Sequence, residues 1–110
     1  MKKPYDLEER TFQFSKNVRL FVKTLKKTIG NIEDAKQVIR SSGSVGSKYI
    51  EANEALSKRD FRYRIKICRK EAKESNYWIR LINETNQLID KNVTENLIQE
   101  SMELKKYFLP

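Results

Sequence analysis

Apolar residues recur along this chain at helical spacing, in four stretches. In the first, Leu7, Phe14, Val18, Phe21, Val22 and Leu25 fall on one face, the stripe of a surface helix. Asp6 is suited to cap it, and Glu8 and Glu9 sit where the helix dipole favours carboxylates. The pattern predicts a helix over 6–27, ended by Gly30-Asn31. The second stretch contains Ser41-Ser42-Gly43-Ser44-Val45-Gly46-Ser47, which reads by composition as a linker. Yet Ile32, Ala35, Val38, Ile39, Ser42, Val45, Gly46, Tyr49, Ile50, Ala52 and Leu56 share one arc that keeps phase across it. A flexible linker has no reason to keep phase. One helix is therefore predicted over 32–56, with a neighbouring helix closely approached at Ser42 and Gly46.

Ser57, with Asp60 three residues on, caps a third helix over 58–85. A fourth is predicted over 93–108, with Val93, Leu97, Leu104 and Phe108 on one face and Asn92 or Thr94 as cap. Short connections make sequential helices antiparallel. The fold class expected is all-α, an up-down-up-down four-helix bundle forming a single domain over 1–110. Composition agrees: only 3 Gly and 2 Pro occur in 110 residues, too few for a turn-rich fold.

Chemistry narrows the functional classes. The chain has no histidine, so the commonest neutral-pH acid–base group and metal ligand is missing. The lone Cys68 cannot form an internal disulfide, which fits a reducing cytoplasm. It shares an apolar face with Phe61, Ile65 and Ala72 and reads as a buried core thiol. No zinc spacing, phosphate loop or nucleophile elbow is present, and Ser42 has no histidine to activate it. No catalytic residue, metal or cofactor is expected. The basic start MKK is followed by no apolar stretch, so neither a secretory signal nor a membrane span is expected.

The net charge of +8 favours polyanionic partners. It is concentrated on the third helix, where Lys58, Arg59, Arg62, Lys66, Arg69, Lys70, Lys73 and Arg80 fall within about 120° of the wheel. Glu84, near the helix end, is the acidic residue of that sector. Such a stripe suits phosphates, and Arg59, Arg62, Lys66, Arg69, Lys70 and Lys73 are the candidate nucleic-acid contacts, with Tyr63 and Tyr77 available for stacking. A solvated helix face is the plainer alternative.

The other side of this helix carries more apolar surface than one core needs. Phe61, Ile65, Cys68, Ala72, Ile79 and Ile82 form one part, and Tyr63, Ile67, Trp78 and Leu81 a second. Phe12, Leu20 and Met102 also lie off their helices' main faces. Surplus of this kind marks an interface, so Phe12, Leu20, Tyr63, Ile67, Trp78 and Leu81 are candidates for self-association. A wide helix touching two neighbours is the alternative. Asn53, Asp60, Arg64 and Glu71 lie inside apolar arcs and are the candidate buried polar residues, fixing register or forming a polar pocket.

The segments from Tyr5 to Phe12, Ile39 to Gly46, Tyr49 to Ala55 and Arg64 to Ser75 resemble a bacterial four-helix-bundle family whose members are often encoded by intervening sequences within large-subunit ribosomal RNA genes. Ser47-Lys48 departs from the smaller Ala-Asn pair of that family. The resemblance implies a left-handed bundle, a homo-oligomer in the form of a ring of five, and no enzymatic activity. Similar bundles are accessory proteins of diversity-generating retroelements, where they bind a reverse transcriptase and nucleic acid. The expected function is a cytoplasmic, oligomeric binding module for RNA or DNA. The alternative is a structural or adaptor protein that binds copies of itself or a protein partner.

Overall fold

The structure, a computed structural model, describes residues 6–87 and 89–109; Tyr5, where the family resemblance begins, lies outside them. Four helices, α1 (Leu7–Val22), α2 (Ile29–Asn53), α3 (Lys58–Thr85) and α4 (Lys91–Tyr107), make up the fold, with no strand among the described residues. The Asp6 carboxylate accepts from the Glu9 amide at 3.2 Å, and the Ser57 hydroxyl from the Asp60 amide at 3.0 Å. Both are the caps that the sequence indicates.

Four other boundaries move. α1 stops at Val22, short of Lys27, where tight bonds from the Thr24 amide to Phe21 and the Leu25 amide to Val22 turn the chain. Leu25 still packs on the core from this turn. Gly30-Asn31 is no stop signal: Thr28 caps α2 by accepting from the Asn31 amide at 3.1 Å, so both residues lie in its first turn. α4 starts at Lys91 under an Asp90 cap, replacing Asn92 or Thr94. Thr94 is buried instead, donating to the Asn83 side chain at 2.7 Å.

α2 runs unbroken through the Ser/Gly stretch. Its small residues admit neighbours on two sides. The backbone of Gly46 approaches α1 so closely that a Cβ there would stand 2.9 Å from Thr11 Oγ1. Ser41, fully buried, shares a 2.9 Å hydrogen bond with Ser75 of α3. α2 ends at Asn53, so Leu56 lies in the following turn and is fully exposed rather than part of the core arc.

The helices pack in a cycle, α1 on α2, α2 on α3, α3 on α4 and α4 on α1, with no close backbone approach between diagonal helices among the described residues. One core fills the centre, built from Phe14, Val18, Val38, Val45, Cys68, Ile79, Leu104, Phe108 and their neighbours. Polar pairs mark the seams. Asn31 and Asn86 exchange amide hydrogen bonds of 2.8 and 2.9 Å between α2 and the end of α3. Asn76 donates to Ser101 at 2.9 Å between α3 and α4. Arg10 forks onto Glu100 through two 2.7 Å bonds between α1 and α4, with its guanidinium 4.9 Å from the Tyr107 ring centroid.

Candidate nucleic-acid interface

α3 divides its charge by neighbour. Toward α2, carboxylates are matched: Arg40 donates to Glu71 at 3.2 Å and to Glu74 at 2.8 Å, and Arg64 to Glu51 at 2.6 Å. On the outer face and toward α4, Lys58, Arg59, Arg62, Lys66, Lys70, Lys73 and Arg80 are exposed, and Arg69 is half-buried. None of these forms an ion pair among the described residues. Lys70 lies within electrostatic reach of Glu74; elsewhere on this face no carboxylate is paired among the described residues, and such a face draws anions from solution.

Arg69 differs from the rest of the stripe. Its Nε is buried without a hydrogen-bond partner, a state that costs about 1–3 kcal/mol for a desolvated donor. Its side chain lines a cleft of about 260 Å³ with Met102, Lys105, Lys106 and Leu109 of α4 and its end. A second cleft of about 410 Å³ continues along the same seam, and Lys73, Arg80 and Lys105 line it. No acidic residue lines either cleft. Lys105 and Lys106 are absent from the sequence-derived set. In sequence they look like ordinary basic residues of a last helical turn, and the packing of α4 on α3 is what brings them to Arg69.

The candidate interface residues do not form one patch. Phe12 and Leu20 are exposed on α1, whereas Tyr63, Ile67, Trp78 and Leu81 belong to α3, whose backbone α1 does not closely approach among the described residues. Tyr63 is 63% exposed, Ile67 and Leu81 are half-buried, and Trp78 packs on the core with Tyr77 edge-on at 5.0 Å. Leu20 lines an open cleft of about 570 Å³ between the end of α1 and the start of α4, together with Phe21, Ile89 and Val93.

Of the candidate buried polar residues, Glu71 is buried, with one carboxylate oxygen taken by Arg40 and the other without a partner. Asp60 and Arg64 are half-buried and paired with one another at 3.2 Å. Asn53 is corrected: it is exposed and donates to Glu8 at 3.1 Å. It is the last residue of α2, and its side chain reaches to the start of α1 rather than into the core that the preceding Ala52 joins.

The whole assembly of helices has counterparts. The chain matches the model of the 23S rRNA-intervening sequence protein family over residues 4–108. It belongs to that family. Among solved structures, it is similar to a protein of unknown function from the S23 ribosomal protein family of Bacteroides thetaiotaomicron VPI-5482. The two are 29% identical with a TM-score of 0.78, and the match covers 93% of this chain and 94% of the other. No curated protein matches the chain.

In this member of the intervening-sequence family, no described helix is long and apolar enough to cross a membrane. Among the described residues no group of His, Cys, Asp and Glu could hold a metal ion. Cys68 is fully buried, as its place on the apolar face indicates, and burial pushes its thiol up to about 12. A raised thiol pKa keeps the reactive thiolate scarce across neutral pH. Iodoacetamide at pH 8 is expected to leave Cys68 unmodified in the folded protein and to label it fully in urea, read by mass spectrometry. Rapid labelling without denaturant would place the thiol outside the core.

Proposed function

We propose that this protein is a non-enzymatic, nucleic-acid-associated binding module that acts as a homo-oligomer in the cytoplasm, with RNA as the primary partner. One observation carries this reading: the basic face of α3 has no carboxylate partners among the described residues, although carboxylates are paired along the α2 seam of the same helix. A face kept only for solubility needs charge but not segregation by sign. The family's association with 23S rRNA accords with an RNA partner.

The proposed scaffold is a single-domain, left-handed bundle with helices alternating up and down. Cross-helix pairs support the alternation, since numbers fall on α3 as they rise on α2: Asn31 with Asn86, Ser41 with Ser75, Glu51 with Arg64. Assembly into a ring, of five by family resemblance, would repeat the basic face around the particle and raise avidity for a long polyanion. The second reading is a self-assembling adaptor for a protein partner. It draws on the exposed side chains of Phe12, Leu20 and Tyr63.

Filter binding of a structured 23S rRNA fragment separates the two. The wild type is expected to bind, and Arg62→Glu/Lys66→Glu/Lys73→Glu to bind at least tenfold more weakly, with a shallower salt dependence. Light scattering on the same samples gives the assembly mass. A multimer that retains no RNA at low salt would favour the adaptor, and a strict monomer would remove the ring.

A further inference from the structure

We infer that the seam between α3 and α4 is a groove for a single-stranded phosphodiester backbone, with Arg69 as its anchoring contact. The inference rests on the nucleic-acid reading above and makes it local, because it moves the site from the outer ridge of α3 into the seam.

Cations enter the groove from two helices. Arg69, Lys73 and Arg80 come from α3, and Lys105 and Lys106 from α4, along two adjoining clefts without an acidic lining residue. Arg69 and Lys73 are one helical turn apart, about 6 Å along the axis at 1.5 Å per residue. Charges at that spacing can meet successive phosphates of an extended strand.

The orphaned Nε supplies the second argument. Arg69 Nε and Glu71 Oε1 are the buried side-chain polar atoms lacking a partner among the described residues. Glu71 belongs to the opposite, α2-facing side, where Arg40 already engages it. Arg69 has no protein acceptor for its inner N–H, and an outward rotation of this half-buried side chain toward the cleft would present Nε and one Nη, the fork that takes two oxygens of a phosphate. The groove also contains apolar surface, with Met102 45% and Leu109 56% exposed. Sugar and base edges can cover such surface, and the apolar wall strengthens a charge-assisted bond beside it.

The shape selects the form of nucleic acid. An A-form duplex is a stiff cylinder recognised through its outer surface. It would rest on the ridge formed by Arg59, Arg62 and Lys66. A single strand can lie in the seam and follow its cations.

Fluorescence anisotropy with labelled oligouridine tests the placement, using two variants that each remove three positive charges. Arg69→Gln/Lys105→Gln/Lys106→Gln alters the groove, and Arg59→Gln/Arg62→Gln/Lys66→Gln the ridge. Circular dichroism and urea unfolding confirm that each is folded. The groove variant is expected to lose about tenfold in affinity or more and the ridge variant less than about threefold, because only the groove residues are held against the strand. Arg69→Lys, which keeps the charge but loses the fork, is expected to weaken binding with the salt slope unchanged. Oligodeoxythymidine should bind as oligouridine does, since phosphate is common to both. A ridge variant as damaging as the groove variant would overturn the groove while leaving the basic-face reading intact. A duplex bound more tightly than the single strand, or RNA bound without DNA, would also overturn it. Failure of the wild type to bind any nucleic acid at low salt would remove both.

Discussion

Phe108→Ala is expected to lower the unfolding free energy by about 3–5 kcal/mol, the range for deleting a fully buried phenyl ring. The residue stands just past the last turn of α4, where a chain end ordinarily frays. Here the ring is completely buried and packs against the Tyr49 ring of α2 at a centroid distance of 5.6 Å. Its amide still donates to the Leu104 carbonyl at 3.1 Å, so the helical geometry continues into the cap. The ring therefore fastens the end of α4 to α2 across the bundle. Because domains of this size are stable by only about 5–15 kcal/mol, much of the total should be lost. Urea unfolding followed by circular dichroism measures it. A loss below about 1 kcal/mol would mean that the end of α4 is not packed into the core.

Gly46→Leu is expected to cost about 3 kcal/mol, the upper part of the overpacking range. Helix propensity alone predicts the opposite sign, since any ordinary residue outscores glycine in a helix interior. The contact with α1 decides. A Cβ at position 46 would lie 2.9 Å from Thr11 Oγ1 and 3.3 Å from Thr11 Cβ. Thr11 cannot step aside, because it is buried and its hydroxyl donates to the Leu7 carbonyl at 2.6 Å. The helices must then separate. Gly30 is the internal control: nothing lies within 4 Å of its added Cβ, so Gly30→Ala should stabilise by about 0.5–1 kcal/mol through backbone entropy. Gly43 is intermediate, since its nearest neighbour is the flexible end of Arg19 at 3.4 Å. Equal effects at positions 30 and 46 would contradict the close approach of α1 and α2.

The contrast among the glycines shows what the sequence could and could not convey. Phase continuity across Ser41–Ser47 carried α2 through a stretch whose composition argued for a loop, and the reason was legible: small residues sat on the packing face. Asp6 and Ser57 were legible as caps because each precedes a clean apolar period. Thr28 and Asp90 were not, since Gly30-Asn31 resembles a terminator and Asn92 and Thr94 are equally good capping types. A helical wheel also treats every position as embedded in a long helix. It therefore buried Asn53 and Leu56, which lie where α2 ends. The basic stripe was legible because it lies on one helix. The contribution of Lys105 and Lys106 was not, because it depends on how α4 registers against α3, and periodicity within one helix carries no information about that.

The same limit applies to the proposed ring assembly. Leu20 and Tyr63 were grouped by a shared excess of apolar surface, but they lie on helices whose backbones do not closely approach one another among the described residues. An assembly using both must present two different faces of each subunit, as the head-to-tail contact of a closed ring does.

The central claim is that the basic face of α3 and its seam with α4 bind nucleic-acid phosphates, and its most direct test is the salt dependence of RNA affinity for the unaltered protein. A plot of log Kobs against log salt should be linear with a slope of about −3 or steeper, as four or more neutralised phosphates at about 0.7–0.9 each require. A flat plot, or no binding at the lowest salt, would contradict the claim.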